Sequence, residues 1–282
     1  VNGGMVIITA DEPGQHSSQN EQDNRHYAKA AKLAMMEPSD SQEARAFMKE
    51  AFEISEKLDT PILMRMTTRL CHSKGIVDCG ERVEVPAKKY EKNIAKHLNP
   101  PAIAKKQRIL LEDRLVKLKE FSETTPMNRI EDNGKKVGVV VSGMCYCYAK
   151  EVFGDDVNYL KLGFTYPLPS DLIKKFCTGL DIIYVIEEND PILEEEIQRL
   201  GFDPKGKNTF PAYDELTPDV NRKCVFGKTY DSVDYDRTKV VARPPALCAG
   251  CPHRGLFYEL GKKKNVLISG DSGCYTLGYA DP

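Results

Sequence analysis

Three cysteines near the end of the chain offer the most explicit chemistry. Cys248 and Cys251 form a C-x2-C pair in ALCAGCPHRGLFYEL, and Cys274 follows in GDSGCYTLG. Two thiolates three positions apart can close on one metal centre, and a distant third can supply another corner. Between them the apolar run Val266 to Ile268 leads to Gly270, Asp271, Ser272 and Gly273. That pattern predicts a buried strand entering a Gly-rich turn, whose backbone N–H groups can approach an anionic group. The spacing does not choose between iron and zinc, and a zinc site would also draw on His253. Cys-Pro-His-Arg reads equally as a tight turn whose His and Arg cap backbone, and Cys274 as packing behind the Gly-rich turn.

A second candidate set lies near the start. Met5 to Ala10 is a short apolar run, predicted as a fully buried strand. The polar loop DEPGQHSSQNEQDNRHYA follows, carrying His16, Ser17, Ser18, Gln19 and Asn20. Ala44, Phe47, Met48, Ala51, Ile54 and Leu58 recur at helical spacing, so 40–58 is predicted as an amphipathic helix. A capping box through the Ser39 hydroxyl and the Gln42 amide would start it. Asp59-Thr60-Pro61 stops it, and Ile62 to Met66 is the next strand. Strand, helix, strand in this order predicts a right-handed crossover and parallel pairing. Ligands of such sheets sit outside the carboxyl ends of the strands, here the loop from Asp11 and the segment Thr67-Thr68-Arg69. The competing reading is a polar surface loop with self-bonding Ser and Asn.

Residues 81–134 are Lys-rich, with a basic helix predicted over Ala102 to Phe121 as a solvated connector. From Lys135 a second alternation begins. Strands are predicted at Val137 to Val141, Tyr159 to Leu162 and Asp181 to Ile186, with helices to about Phe153, to about Thr178 and over Pro191 to Leu200. The expectation is a parallel α/β domain without a G-x-G-x-x-G fingerprint. Glu187, Glu188 and Asp190 read as carboxylates at a helix N-terminus. Cys71, Cys79, Cys145, Cys147, Cys177 and Cys224 read as packing residues. Residues 205–241 read as an irregular wrap or linker.

A length of 282 residues suits about two domains on the usual ~100–200 residues each. A net charge of −2 gives no electrostatic argument for nucleic acid or an anionic membrane. No apolar run approaches the ~18 residues of a membrane span, and no signal peptide opens the chain. A cytoplasmic protein is expected, with its nine cysteines reduced. The start at Val1 and the stop at Pro282 suggest an internal piece of a longer polypeptide.

The segments ADEPGQHSSQNEQDNRHYA (10–28), EPSDSQEARAFMKEAFEISEKLDTPILMRMTTR (37–69), VIEENDPILEEEI (185–197), ALCAGCPHRGLFYEL and GDSGCYTLG resemble one family. It is the large (alpha) subunit of indolepyruvate ferredoxin oxidoreductase, in the 2-oxoacid:ferredoxin oxidoreductase superfamily. The resemblance is weakest over 81–134 and 201–240. It implies an α/β fold with thiamine-enzyme-type parallel sheets and flanking helices. Residues 1–80 would be the C-terminal part of the pyrimidine-binding domain and 81–134 a helical connector. Residues 135–240 would be a transketolase C-terminal-like domain, and 241–282 the start of the diphosphate-binding domain.

The resemblance also implies thiamine diphosphate, Mg2+ and a [4Fe-4S] cluster, used to decarboxylate aryl pyruvates such as indolepyruvate oxidatively to acyl-CoA. Electrons would leave singly to ferredoxin, and the partners would be the small beta subunit, ferredoxin, coenzyme A and the aryl pyruvate. In the wider superfamily C-x-G-C and a later Gly-Cys ligate a cluster, matched here by Cys248, Gly250, Cys251, Gly273 and Cys274. His16, Ser17, Ser18, Gln19, Asp271, Ser272 and Gly273 become the cofactor-binding candidates. The activating glutamate is expected before Val1, and the magnesium motif and further cysteine clusters beyond Pro282, so this chain alone is expected to be inactive. A non-catalytic zinc module and a thiamine enzyme without clusters are the alternatives.

Overall fold

The computed structural model describes residues 2–16, 18–241, 245–270 and 273–278. Ser17, Asp271 and Ser272 of the candidate set lie outside them. Two units separate, residues 1–230 and 231–282.

The first unit opens with β1 (Val6–Asp11), α1 (Arg25–Ala31), β2 (Ala34–Met36), α2 (Ser41–Leu58), β3 (Ile62–Thr67) and the short α3 (Thr68–His72). Next come α4 (Ile94–His97), α5 (Pro101–Thr124), β4 (Arg129–Glu131), β5 (Val137–Ser142), α6 (Cys145–Phe153), β6 (Asn158–Leu162) and β7 (Phe164–Tyr166). The unit closes with α7 (Ser170–Cys177), β8 (Ile182–Ile186), α8 (Ile192–Arg199) and α9 (Pro218–Phe226). Two four-stranded sheets result, ordered β1-β3-β2-β7 and β4-β6-β5-β8. The expected parallel pairing is present, with Val6 opposite Ile62 through Asp11 opposite Thr67, and β6 and β8 both parallel to β5. Each sheet also carries a three-residue antiparallel edge strand, β7 or β4, outside the sequence expectation.

Three local expectations change. β1 is an edge strand and not fully buried, with Ile8 61% exposed. The α2 cap sits one residue later than expected: Asp40 accepts from the Glu43 N–H at 2.7 Å, while Glu43 reaches back to the Ser39 N–H and hydroxyl. Gln42 instead accepts from the Asp78 N–H. The helix predicted as solvated, α5, buries Leu118 in the core with Phe47, Ile54, Met64 and Phe164. Its amphipathic end packs on the first sheet while the rest stays wet.

The predicted linker after Lys205 also joins the core. Lys205 bridges to Tyr184 beside β8, and Phe210 and Leu216 are buried under α6. Cys145 and Cys177 are buried as expected, but Cys71 and Cys79 are exposed and do not pack.

The two sheets are joined at Gly163, the single residue between β6 and β7. A Cβ there would meet the Phe47 ring at 2.6 Å and the Met127 carbonyl at 2.8 Å, so only glycine lets the chain pass from one sheet to the other. Glu37 N–H donates to the Gly163 carbonyl at 2.8 Å, closing the junction. No helix among the described residues is long and apolar enough to cross a membrane.

Candidate functional site

Neighbouring strands of the first sheet end in alternating charge. Asp11 closes β1, Arg65 lies two residues from the end of β3, and Glu37 follows β2. Arg65 donates through Nε to Asp11 and through Nη1 to Glu37 Oε2 at 2.7 Å. All three side chains are buried, which is tolerable only because each charge meets its opposite. Asp11 also accepts the Asn24 N–H at 3.1 and 3.0 Å, fixing the far end of the polar loop. Ser142, at the end of β5 in the second sheet, donates to Glu37 Oε2 at 3.3 Å.

Arg25 extends this set to the end of β8. Its guanidinium takes Asp23 bidentately at 2.8 and 2.6 Å, Glu187 Oε2 at 2.6 Å, and the Glu188 and Asp190 carbonyls at 2.7 and 2.9 Å. Glu187 accepts the Leu193 and Glu194 N–H groups, the helix N-terminal role expected for it. Burial opposes charge on Asp23, but the Arg25 hydrogen bonds and charge override it and hold that carboxyl at about 2. Glu188 shows the reverse balance. Burial dominates, Arg65 opposes and Glu215 adds to it, so the carboxyl is pushed up to about 7. A carboxyl in that range can give or take a proton near neutrality.

Beside these groups Pro13, His16, Thr67, Thr68, Arg69, Glu188 and Glu215 line a tight cleft with no room for a water-sized molecule. Arg69 grips Glu215 with two 2.7 Å bonds, the Tyr148 hydroxyl donates to the same carboxylate, and His16 Nε2 lies 3.5 Å from it. Thr67 Oγ1 and Arg65 Nη2 are buried without a protein partner among the described residues, which leaves polar capacity at the end of β3. As it stands, the cleft has no room for thiamine diphosphate.

The polar loop is clamped as well as surface-facing. Glu21 accepts the Gly14 and Asp214 N–H groups at 2.6 and 2.8 Å, and Asn189 donates to the Gln22 carbonyl at 2.6 Å. Of its candidates, His16 lines the cleft, the Ser18 hydroxyl is spent on Glu12, and Gln19 is exposed. Sequence reasoning missed Arg65, Glu37, Tyr148 and Glu215. A charge inside the apolar run ILMRMT was the available signal for Arg65.

The second unit holds α10 (His253–Gly261) and α11 (Cys274–Leu277). Cys248 to Cys251 forms a turn, with the Cys251 N–H on the Cys248 carbonyl at 3.1 Å. Cys251 Sγ lies 3.3 Å from His253 Nδ1, and Arg254 donates to the Leu247 carbonyl, so the capping role expected of Arg254 is met. The His253 ring stacks on Phe257 and meets the edge of Tyr275 at 5.4 Å, which brings the element of Cys274 against that of Cys251. Cys248 and Cys274 are exposed, Cys251 is half-buried, and all three thiols are free. Three free cysteine thiols are of the donor type that an iron–sulfur cluster takes.

For a single ion, the only group of three ligating side chains among the described residues is Asp23, His26 and Asp190. Arg25 already occupies the Asp23 carboxylate there. Gly273 precedes α11 as its N-cap residue. The strand expected at Val266 to Ile268 does not form; no strand pairs with it among the described residues, and Leu267 is 98% exposed.

No family model matches the chain. Curated proteins named indolepyruvate oxidoreductase subunit IorA match it from end to end, so the resemblance carried by the motifs is borne out. The one from Methanothermobacter thermautotrophicus is 41% identical over 307 residues, covering 100% of this chain and 50% of the relative. The one from Methanothermobacter marburgensis is 39% identical with the same coverage. The chain therefore spans about half the length of the curated relatives it matches. Among solved structures, the 2-oxoglutarate:ferredoxin oxidoreductase from Magnetococcus marinus superposes with a TM-score of 0.54, covering 78% of this chain and 48% of that one. At 13% identity that likeness speaks for the fold alone, and the fold class is the one expected.

Proposed function

We propose that this chain, matching half of an indolepyruvate oxidoreductase subunit, serves in oxidative decarboxylation of aryl 2-oxoacids with electron transfer to ferredoxin. The full-length likeness to the IorA subunits carries this reading. The parent enzyme would use thiamine diphosphate with Mg2+, a small beta subunit, coenzyme A and ferredoxin. When bound, thiamine diphosphate supplies the nucleophilic carbon and electron sink that such a decarboxylation needs.

Each unit contributes residues to that role separately. In the first, His16, Thr67 and Glu188 line the strand-end cleft, and Glu188 is the group able to hold or release a proton there. Ser17, Ser18 and Gln19 complete the loop assigned to the cofactor. In the second, Asp271, Ser272 and Gly273 are the residues assigned to the cofactor, and Cys248, Cys251 and Cys274 are the ligands assigned to a [4Fe-4S] cluster.

The full-length parent, purified anaerobically with its partner, should reduce a viologen dye with indolepyruvate and coenzyme A. Faster reduction with pyruvate or 2-oxoglutarate would remove the aryl-substrate assignment. Brown protein absorbing near ~400 nm supports the cluster. The second reading is a structural zinc site drawing on Cys251 and the neighbouring His253, which a colourless protein with stoichiometric zinc would establish.

A further inference from the structure

We propose that a second cavity in the first unit, bounded by α1, β7, α7 and α8, binds a small aromatic acid that carries a hydrogen-bond donor opposite its carboxylate. The cavity encloses about 420 Å³, within the range of small-molecule sites. The strand-end cleft has a different lining, and the proposal stands independently of the function proposed above.

The lining defines the ligand from the inside outward. Glu37 and Thr165 belong to the wall, and both are more than nine-tenths buried. Glu37 spends one carboxylate oxygen on Arg65 and Ser142, but its Oε1 has no partner among the described residues, and neither has Thr165 Oγ1. A buried acceptor left unmade is costly, and a ligand O–H or N–H would recover that cost. Met35, Tyr166, Leu168 and Ile192 give apolar walls, suited to a flat ring, with a methionine able to adjust to its outline.

Charge at the rim sets the other end of the ligand. Arg25 is saturated by Asp23, Glu187 and two carbonyls. Lys119 is held by the Leu168 carbonyl and the Ser170 hydroxyl, and Arg199 by Glu196. Lys29 is exposed, and its ammonium has no partner among the described residues. It is the cation available to a carboxylate. Glu195 is the opposing rim charge and should weaken that contact.

The test uses the whole 282-residue chain and 4-hydroxyphenylacetate as probe, with affinity read by calorimetry or ligand-observed NMR. Phenylacetate lacks the donor and 4-methylphenol lacks the carboxylate. Each should bind about tenfold more weakly, the worth of one charge-assisted hydrogen bond. Lys29→Ala should weaken 4-hydroxyphenylacetate and leave 4-methylphenol unchanged. Thr165→Val should weaken both phenols, and Glu195→Gln should tighten the acid. Circular dichroism identifies any variant that has lost its fold, and Lys29→Ala, on the surface, keeps the test decisive if Thr165→Val fails. Equal binding of all three compounds, indifference to Lys29→Ala, or no binding at millimolar probe would overturn the proposal.

Discussion

Arg25 Nη1 donates to Glu187 Oε2 at 2.6 Å across 162 positions of sequence. That ion pair joins the start of α1, on the first sheet, to the carboxyl end of β8 in the second. Both side chains are almost fully buried, so neither charge has water to fall back on.

Arg25→Met should therefore destabilise the chain by about 3–5 kcal/mol, the cost of breaking a buried pair from one side. Asp23 and Glu187 would be left as buried carboxylates. Urea unfolding measures the loss, and a change under about 1 kcal/mol would show that water replaces the guanidinium.

Lys161 is the fully buried cation of the second sheet, paired with Glu43 and resting over the Phe47 ring. Burial lowers the Lys161 pKa, and burial also raises that of Glu43, but Lys161 and Ser39 together bring Glu43 down to about 2. Glu43→Gln should be the more damaging variant, because it strands the ammonium inside. Lys161→Met should cost less, since Glu43 keeps Arg129 at 3.0 Å and the Ser39 hydroxyl. Thermal melts of the two variants decide the order, and the reverse order rejects it.

Stability should also depend on pH in a way traceable to single groups. The Glu188 carboxyl, at about 7 when folded against an ordinary 4.5, binds its proton more tightly in the folded chain. Its contribution is complete below about pH 4.5 and is lost as pH rises through about 7. Asp23 and Glu43, both held at about 2, act oppositely: their contribution is present above their ordinary values and lost as pH falls. Unfolding free energy should peak near pH 5. Glu188→Gln should flatten the decline toward pH 7, worth on the order of 3 kcal/mol. A decline unchanged in Glu188→Gln, followed by urea melts from pH 5 to 8, would reject this assignment.

The strands that were legible in the sequence are those with enough residues to show a pattern. Val137 to Val141 and Ile182 to Ile186 are runs without a polar side chain that breaks them, because both faces of the second sheet are covered, by α6 and α9 on one side and α7 and α8 on the other. β2, β4 and β7 have three residues each, too few for a period, and only their pairing partners define them. The candidate loop at 11–20 was visible from its position after a strand. The ionic set behind it was not, because Glu37, Arg65, Glu187 and Glu215 are far apart in sequence and look like ordinary surface charges until the fold buries them. The cysteine spacing marked ligands by type, whereas their burial and distances depend on packing that spacing does not encode.

The sparse interior of the second unit has a consequence for handling the protein. Leu247 is the only buried side chain among the described residues from Asp231 to Gly278. Backbone with so little apolar cover opens at low free energy, so its amides should exchange with deuterium well before those of β5 or β8. Limited trypsin digestion should nick the chain first at a lysine or arginine beyond the unit boundary, such as Lys239, leaving the first unit as the resistant band.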